Sequence, residues 1–128
     1  MAEGLPATGA IVFRRAEQAI YTLFDADEVR RLAGDGIELR DVGINDFELV
    51  PGGGFEQQVH DDKLEVVVAI PLGETEGMIV RYTDDAGSYC LDLGAQDSIL
   101  IPRNVPHKAQ NICNTHVVLI TVNFRYVE

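Results

Sequence analysis

The residues of this sequence that could bind a metal ion or take part in catalysis lie in two short stretches. The first contains Gln58, His60 and Glu65 just after three consecutive glycines, and the second contains His107 after a proline-rich turn. Imidazole nitrogen and carboxylate oxygen are common ligands of divalent metal ions in proteins, and an amide oxygen is a weaker one. The two stretches therefore predict a metal site, provided that they fold as neighbouring strands.

The first stretch resembles the first sequence motif of the cupin family. That motif runs Gly, five residues, His-x-His, three or four residues, Glu, six residues, Gly. In this sequence its positions are taken by Gly52, Gln58, His60, Glu65 and Gly73. Gln58 stands in place of the first His, and one extra residue precedes the last Gly.

The second stretch resembles the second cupin motif, which runs Gly, five residues, Pro-x-Gly, two residues, His, three residues, Asn. Its positions are taken here by Gln96, Pro102, Asn104, His107 and Asn111. Both glycines are replaced, whereas the Pro, the His and the Asn are kept. The resemblance to the family covers residues 45–127.

The resemblance implies a metal-ligand set of Gln58, His60, Glu65 and His107. If they meet inside a barrel, the two imidazoles and the carboxylate form the two-His, one-carboxylate arrangement that suits non-haem Fe(II). Zn, Mn or Ni would be accepted by the same donors. Gln58 would contribute its amide oxygen or hydrogen-bond to a bound water.

A strand predicted over residues 55–60 would orient part of this set. Alternate side chains of a strand share a face, so Glu56, Gln58 and His60 would point one way and the intervening residues, Phe55 included, the other. On the first face, Glu56 is a candidate general base beside the metal, with a plain surface residue as the alternative.

The resemblance also implies a small-molecule substrate and suggests three kinds of function. The first is a non-haem iron dioxygenase, since cupins of the 3-hydroxyanthranilate dioxygenase type are similar in binding iron through two His and one Glu. The second is a non-redox isomerase, polyketide cyclase or lyase, in which Zn, Mn or Ni acts as a Lewis acid. The third is a non-catalytic small-molecule binding module. The residues alone leave all three open.

The sequence around these residues predicts the strands of an all-β protein. Short apolar or alternating runs are separated by Gly, Pro and Asp, a pattern typical of an antiparallel sandwich or barrel. With the family resemblance, this predicts a cupin-type antiparallel β-barrel, also called a double-stranded β-helix or jelly roll. One short N-terminal helix is predicted over Asp25–Gly34 and a loose tail over residues 1–9. The predicted strands cover residues 11–13, 19–24, 37–40, 47–50, 55–60, 65–70, 78–82, 88–93, 98–101, 107–110 and 117–126.

Composition limits the partners and the surroundings of the protein. A chain of 128 residues predicts one domain, and a net charge of −11 argues against binding to nucleic acid or to anionic membranes. No apolar run approaches the ~20 residues of a membrane span, and the N-terminus lacks the basic start of a signal peptide, so we expect a cytoplasmic protein. Cys90 and Cys113 are expected to be buried free thiols.

We also expect a homodimer. The family resemblance implies it, and the strand over Val117–Tyr126 is apolar on both faces in places. Such a strand would expose an apolar edge unless a second layer or a partner subunit covers it.

Overall fold

The computed structural model describes residues 2–4, 9–17 and 37–126. The described residues form nine strands and a 3₁₀ helix at Arg15–Glu17. The strands are β1 (Ala2–Gly4), β2 (Ile11–Phe13), β3 (Ile37–Leu49), β4 (Lys63–Pro71), β5 (Met78–Thr83), β6 (Cys90–Gly94), β7 (Ser98–Ile101), β8 (Lys108–Asn111) and β9 (Val117–Tyr126). The helix predicted over Asp25–Gly34 and the strand predicted over residues 19–24 lie outside the described residues.

The strands form two antiparallel sheets that pack face to face. The larger sheet has the order β1-β2-β7-β4-β9-β3 and the smaller has the order β6-β5-β8. One buried cluster contains Val67 and Leu119 from the larger sheet together with Val80 and Tyr82 from the smaller. The main core therefore lies between the sheets, as expected for a two-layered β fold.

A second apolar cluster lies on the opposite face of the larger sheet. It contains Leu64 and Val66 of β4, Leu100 of β7 and Phe124 of β9, and all four side chains are buried. Because β4 is covered on both faces, its residues 64–69 are buried without interruption. This double burial explains why the sequence of β4 is apolar from Leu64 to Pro71 apart from Glu65.

The last strand, β9, is central and has no free edge. It pairs with β4 on one side and with β3 on the other. Of the two predicted ways to cover β9, the structure therefore shows the one within the chain: neighbouring strands and the two apolar clusters cover it, and β9 offers no edge to a partner subunit. In the described part of the chain, the edges of the larger sheet are β1 and β3.

The predicted strand bounds agree best with the structure where apolar runs are bounded by turns. The bounds of β2, β7 and β9 are those predicted. The two strands predicted over residues 37–40 and 47–50 are instead one long strand, β3, whose register shifts between Glu38 and Gly43. No helix of the described residues is long and apolar enough to cross a bilayer.

Both cysteines are free thiols, as predicted, but neither is fully buried. Cys90 is exposed and Cys113 is half-buried. Cys90 pairs with Thr83, and the next pair along these strands that shares its face is Arg81 with Asp92. Cys90 therefore lies on the outer, polar face of the smaller sheet rather than in the core.

Candidate metal centre

The inward-facing side chains of β4 include one carboxylate, that of Glu65. Glu65 shares its face with Val67 and Ala69, which belong to the main core, and its neighbours across the sheet are Ile101 and Asn123. Glu65 is only 8% exposed. A buried carboxylate needs a cation or hydrogen-bond donors to offset the loss of hydration, so its surroundings decide what it can do.

The turn before β8 fixes the orientation of His107. The side chain is buried, and Nδ1 lies 2.9 Å from the carbonyl oxygen of Val105. A carbonyl oxygen can only accept, so Nδ1 carries the proton and the lone pair of neutral His107 is on Nε2. This is the arrangement by which metal-binding histidines are usually held, with the second ring nitrogen donating to the backbone.

The backbone of the second stretch also holds His60 in place. The carbonyl oxygen of His60 accepts a hydrogen bond from the backbone N–H of Asn104 at 2.7 Å. Asn104 has a positive φ of 66°, which a short polar residue tolerates in a tight turn. The turn after β7 thus brings His60 against the segment that carries His107.

The three side chains converge on one another. One ligand atom from each of His60, Glu65 and His107 lies within 4.8 Å of the other two. Glu65 Oε1 is 2.7 Å from His60 Nε2 and 3.7 Å from His107 Nε2. Ligand atoms bonded at about 2.1 Å to one ion lie roughly 3.0–3.4 Å apart, so these separations suit a shared metal ion.

Buried polar atoms without hydrogen bonds also support a shared metal ion. Among the described residues, His60 Nε2 and Glu65 Oε1 are buried and have no hydrogen-bond partner, although they are close to each other. Buried polar atoms normally find partners because leaving them unpaired costs about 1–3 kcal/mol. A divalent ion would satisfy both atoms, so the residues present fit such an ion.

The electrostatic surroundings favour a neutral ring at His60. Burial lowers the pKa of His60 below its ordinary value, and the carboxylate of Glu65 partly opposes this shift. The positive charge of Lys63 and the neighbouring ring of His107 lower the same pKa further. A neutral imidazole keeps the lone pair that a metal ligand needs.

Gln58 pairs directly with His107 through the backbone. The N–H of Gln58 donates to the carbonyl oxygen of His107 at 2.8 Å, and the reverse bond measures 2.9 Å. Residues paired in this way point to the same face, so Gln58 faces the same side as His107. Its side chain is more exposed than those of the three grouped residues, and its role as a fourth ligand stays a prediction.

The segment over residues 55–60 is not the regular strand that was predicted. Gly54 pairs with Gln110 and Gln58 pairs with His107. The first segment therefore advances by four residues where its partner advances by three, so it contains one extra residue. A bulge of one residue reverses the alternation of side chains. Phe55, predicted to point away from the site, packs instead against the main core, with its ring centroid 6.3 Å from that of His107.

The same bulge changes the position of Glu56. Its side chain is exposed and lines a surface depression together with Gln57, Asp85 and Lys108. Because Phe55 takes the inward direction, Glu56 is turned to the outside. Glu56 is not among the residues that the structure brings together, and its predicted role as a general base is not favoured by this position.

Three residues near the cluster were not singled out in the sequence. Lys63 shares the inward face of β4, and Asn123 lies directly opposite Glu65 on β9. Tyr82 is fully buried, and burial together with the charge of Glu65 raises the pKa of its hydroxyl. Two signals could have identified the first two: Lys63 is two residues before Glu65, and Asn123 interrupts an apolar strand.

Comparison with known proteins gives structural relatives only. No protein-family model matches this sequence, and no curated protein matches it. A cupin 2 domain-containing protein from Halorhodospira halophila has a similar structure, with a TM-score of 0.59 and 18% identity over 91% of this chain and 75% of that one.

Two further solved structures are similar to this chain. A predicted oxalate decarboxylase from Thermotoga maritima has a TM-score of 0.54 and 12% identity, over 91% of this chain and 80% of that one. An oxalate oxidase in complex with the substrate analogue glycolate has a TM-score of 0.51 and 21% identity, and this chain spans 53% of it. The two packed antiparallel sheets and these similarities show that the chain has the fold of the cupin superfamily.

Proposed function

We propose that this protein is a metal-dependent enzyme that acts on a small organic molecule, with Fe(II) as the favoured ion and a dioxygenase reaction as the favoured chemistry. The observation that carries the proposal is the convergence of His60, Glu65 and His107, in which His60 Nε2 and Glu65 Oε1 are buried without a hydrogen-bond partner. Two imidazoles and one carboxylate form the donor set used by non-haem Fe(II) oxygenases.

Each residue has a defined task in this proposal. His107 presents Nε2 because its Nδ1–H is bound to the backbone, His60 presents a neutral ring, and Glu65 supplies the negative charge. When bound, Fe(II) would supply Lewis-acid polarisation and redox chemistry with O2. The ring of Phe55 packs edge-on against His107 and also against Tyr82, so it would form an apolar side of the site.

A non-redox reaction is the second candidate. The fold similarity to a predicted oxalate decarboxylase favours it, since decarboxylation is the removal of a group from a small acid. Zn, Mn or Ni in the same donors would polarise a bound oxygen without a change of oxidation state. Isomerase and cyclase reactions belong to the same class.

The test begins with metal analysis of protein purified without chelators. We expect about one equivalent of iron per chain and O2 uptake with electron-rich small substrates. Stoichiometric Zn, Mn or Ni without O2 uptake would overturn the dioxygenase and support the non-redox enzyme. Bound metal with no turnover of any tested substrate would instead indicate a binding module.

The third histidine of the chain provides a matched control for the ligands. His116 is exposed and its Nδ1 lies 2.7 Å from Glu48 Oε2, away from the grouped residues. We expect His107→Ala to lose the metal and His116→Ala to keep it, with both variants folded by circular dichroism. A His107→Ala variant that retains full metal content would remove His107 from the ligand set.

Homodimer formation is also part of the proposal, with β3 as the contact. This strand pairs on one side only in the described part of the chain, and its residues 43–48 are all exposed. Ile44 is 71% exposed on this strand. An exposed edge with an apolar side chain is the kind of surface that a second copy can cover. Light scattering should give a dimer mass for the wild type and a monomer mass for Ile44→Lys, and a monomeric wild type would refute the dimer.

A further inference from the structure

A positive charge lies beside the proposed metal ligands. Lys63 begins β4 and shares the face of Glu65, and its Nζ lies 3.9 Å from Glu65 Oε1. Within the described part of the chain, Nζ donates no hydrogen bond at a normal distance, because 3.9 Å is too long for one. The three donors of this ammonium group are therefore available to a ligand.

The neighbouring cation, Arg125, does not occupy the position beside Glu65 that Lys63 takes. Arg125 lies directly opposite Lys63 across β4 and β9, where two positive charges repel each other. Its Nη1 instead binds Asp62 Oδ2 at 2.8 Å on the exposed surface. Lys63 is three-quarters buried at its side chain and stays on the side of Glu65. In a chain with a net charge of −11, such a local cation is needed to attract an anionic substrate.

A hydrogen-bond acceptor completes the surroundings of Glu65. Asn123 is 7% exposed and lies directly opposite Glu65, and its Oδ1 is buried without a partner among the described residues. Its Nδ2 makes a long bond of 3.5 Å to the carbonyl oxygen of Gly43, which orients the amide. The free oxygen can accept a hydrogen bond only from a group that carries a proton, such as a hydroxyl.

We infer that the substrate is a small hydroxy acid whose carboxylate is bound by Lys63 and whose hydroxyl donates to Asn123. This assignment rests on the proposed metal site, since the metal, Lys63 and Asn123 would hold the same molecule. The ammonium selects for negative charge, and the amide oxygen selects for a proton donor and disfavours a second carboxylate at its position. Lys63 and Asn123 are thus specificity residues for a ligand that carries both groups.

Three small molecules test the contacts with Lys63 and Asn123 separately. Glycolate carries a carboxylate and a hydroxyl, acetate carries only the carboxylate, and ethylene glycol carries only hydroxyls. We expect the zinc-loaded protein, in which no redox turnover occurs, to bind glycolate most tightly when measured by calorimetry. Acetate should bind about 5-fold more weakly, the ratio expected for one neutral hydrogen bond.

Matched variants assign each contact to one residue. Lys63→Met should weaken glycolate and acetate about 10-fold each, as expected for a charge-assisted hydrogen bond, and should leave ethylene glycol unchanged. Lys108→Met is the control, because Lys108 is an exposed lysine paired with Asp85 at 3.0 Å and its loss changes the net charge equally. Lys63→Arg should restore most of the affinity, and Asn123→Ala should lose the preference for glycolate over acetate.

Metal affinity distinguishes the failure of this inference from the failure of the proposed function. Removing a positive charge near Glu65 should leave zinc affinity unchanged or raise it, whereas a merely structural role of Lys63 would lower it. Equal glycolate affinity of zinc-loaded Lys63→Met and wild type would overturn the inference and leave the metal site intact. A wild type that binds no metal would overturn the proposed function and this inference with it.

Discussion

Two buried carboxylates of this protein have opposite surroundings. Asp97 is fully satisfied within the protein: it accepts hydrogen bonds from Arg14 Nη1 at 2.8 Å, from the N–H of Arg15 at 2.8 Å and from the N–H of Gly94 at 2.7 Å. Glu65 is buried to a similar degree, yet one of its oxygens has no hydrogen-bond partner among the described residues.

The difference in hydrogen bonding distinguishes a residue that stabilises the fold from a residue that is available to a ligand. Removing a buried charge that is paired and hydrogen-bonded lowers stability, because its partners are left buried and unpaired. A buried charged oxygen without a hydrogen bond is a cost to folding, which persists where something else uses that oxygen. The surroundings of Asp97 predict an effect on stability, and those of Glu65 predict an effect on binding.

Replacement of Asp97 should give the largest effect on stability. Asp97→Ala removes three hydrogen bonds, including one to the partly buried guanidinium of Arg14, and should lower the free energy of unfolding by about 3 kcal/mol. Urea unfolding followed by circular dichroism measures this change. A loss below about 1 kcal/mol would contradict the contrast between the two carboxylates.

Replacement of Glu65 should affect the metal-free protein much less. Glu65→Gln removes a buried charge whose Oε1 has no hydrogen-bond partner and whose nearest lysine nitrogen is 3.9 Å away, so we expect the metal-free free energy of unfolding to change by less than about 1 kcal/mol. Zinc at 100 times its dissociation constant should stabilise the wild type by about 2.7 kcal/mol. That gain should be absent from Glu65→Gln and present in Asp97→Ala. Equal stabilisation of wild type and Glu65→Gln by zinc would remove Glu65 from the ligand set.

A third carboxylate should give the smallest effect and a defined pH dependence. Asp84 accepts hydrogen bonds from the N–H and the hydroxyl of Ser88, and these bonds hold the pKa of Asp84 below its ordinary value of 3.8. A carboxyl group with a lowered pKa stabilises the fold above pH 3.8, and this contribution is lost as the pH falls through the folded-state pKa. The stability difference between wild type and Ser88→Ala should therefore be constant from pH 7 to pH 5 and shrink at lower pH. A difference that does not change with pH in urea unfolding would contradict the role of the hydroxyl.

The resemblance of two sequence stretches to the cupin motifs was enough to identify the grouped side chains. His60 and Glu65 lie close in sequence, His107 follows a Pro-rich turn, and the structure brings all three together. Apolar runs bounded by turn residues likewise fixed β7 and β9 at the predicted residues. Both results depend on local patterns, in which each strand or turn is encoded by its own residues.

Pairing between distant segments sets which side chains face the site. The bulge between Gly54 and Gln58 turned Phe55 inward, and it arises from pairing with a distant segment rather than from the local sequence. Asn123 comes next to Glu65 only because β9 pairs with β4 in one register. Local sequence encoded the donor types and most of the strands that surround them. Strand order and register decided their neighbours, because a shift of one residue moves every side chain of a strand to the opposite face.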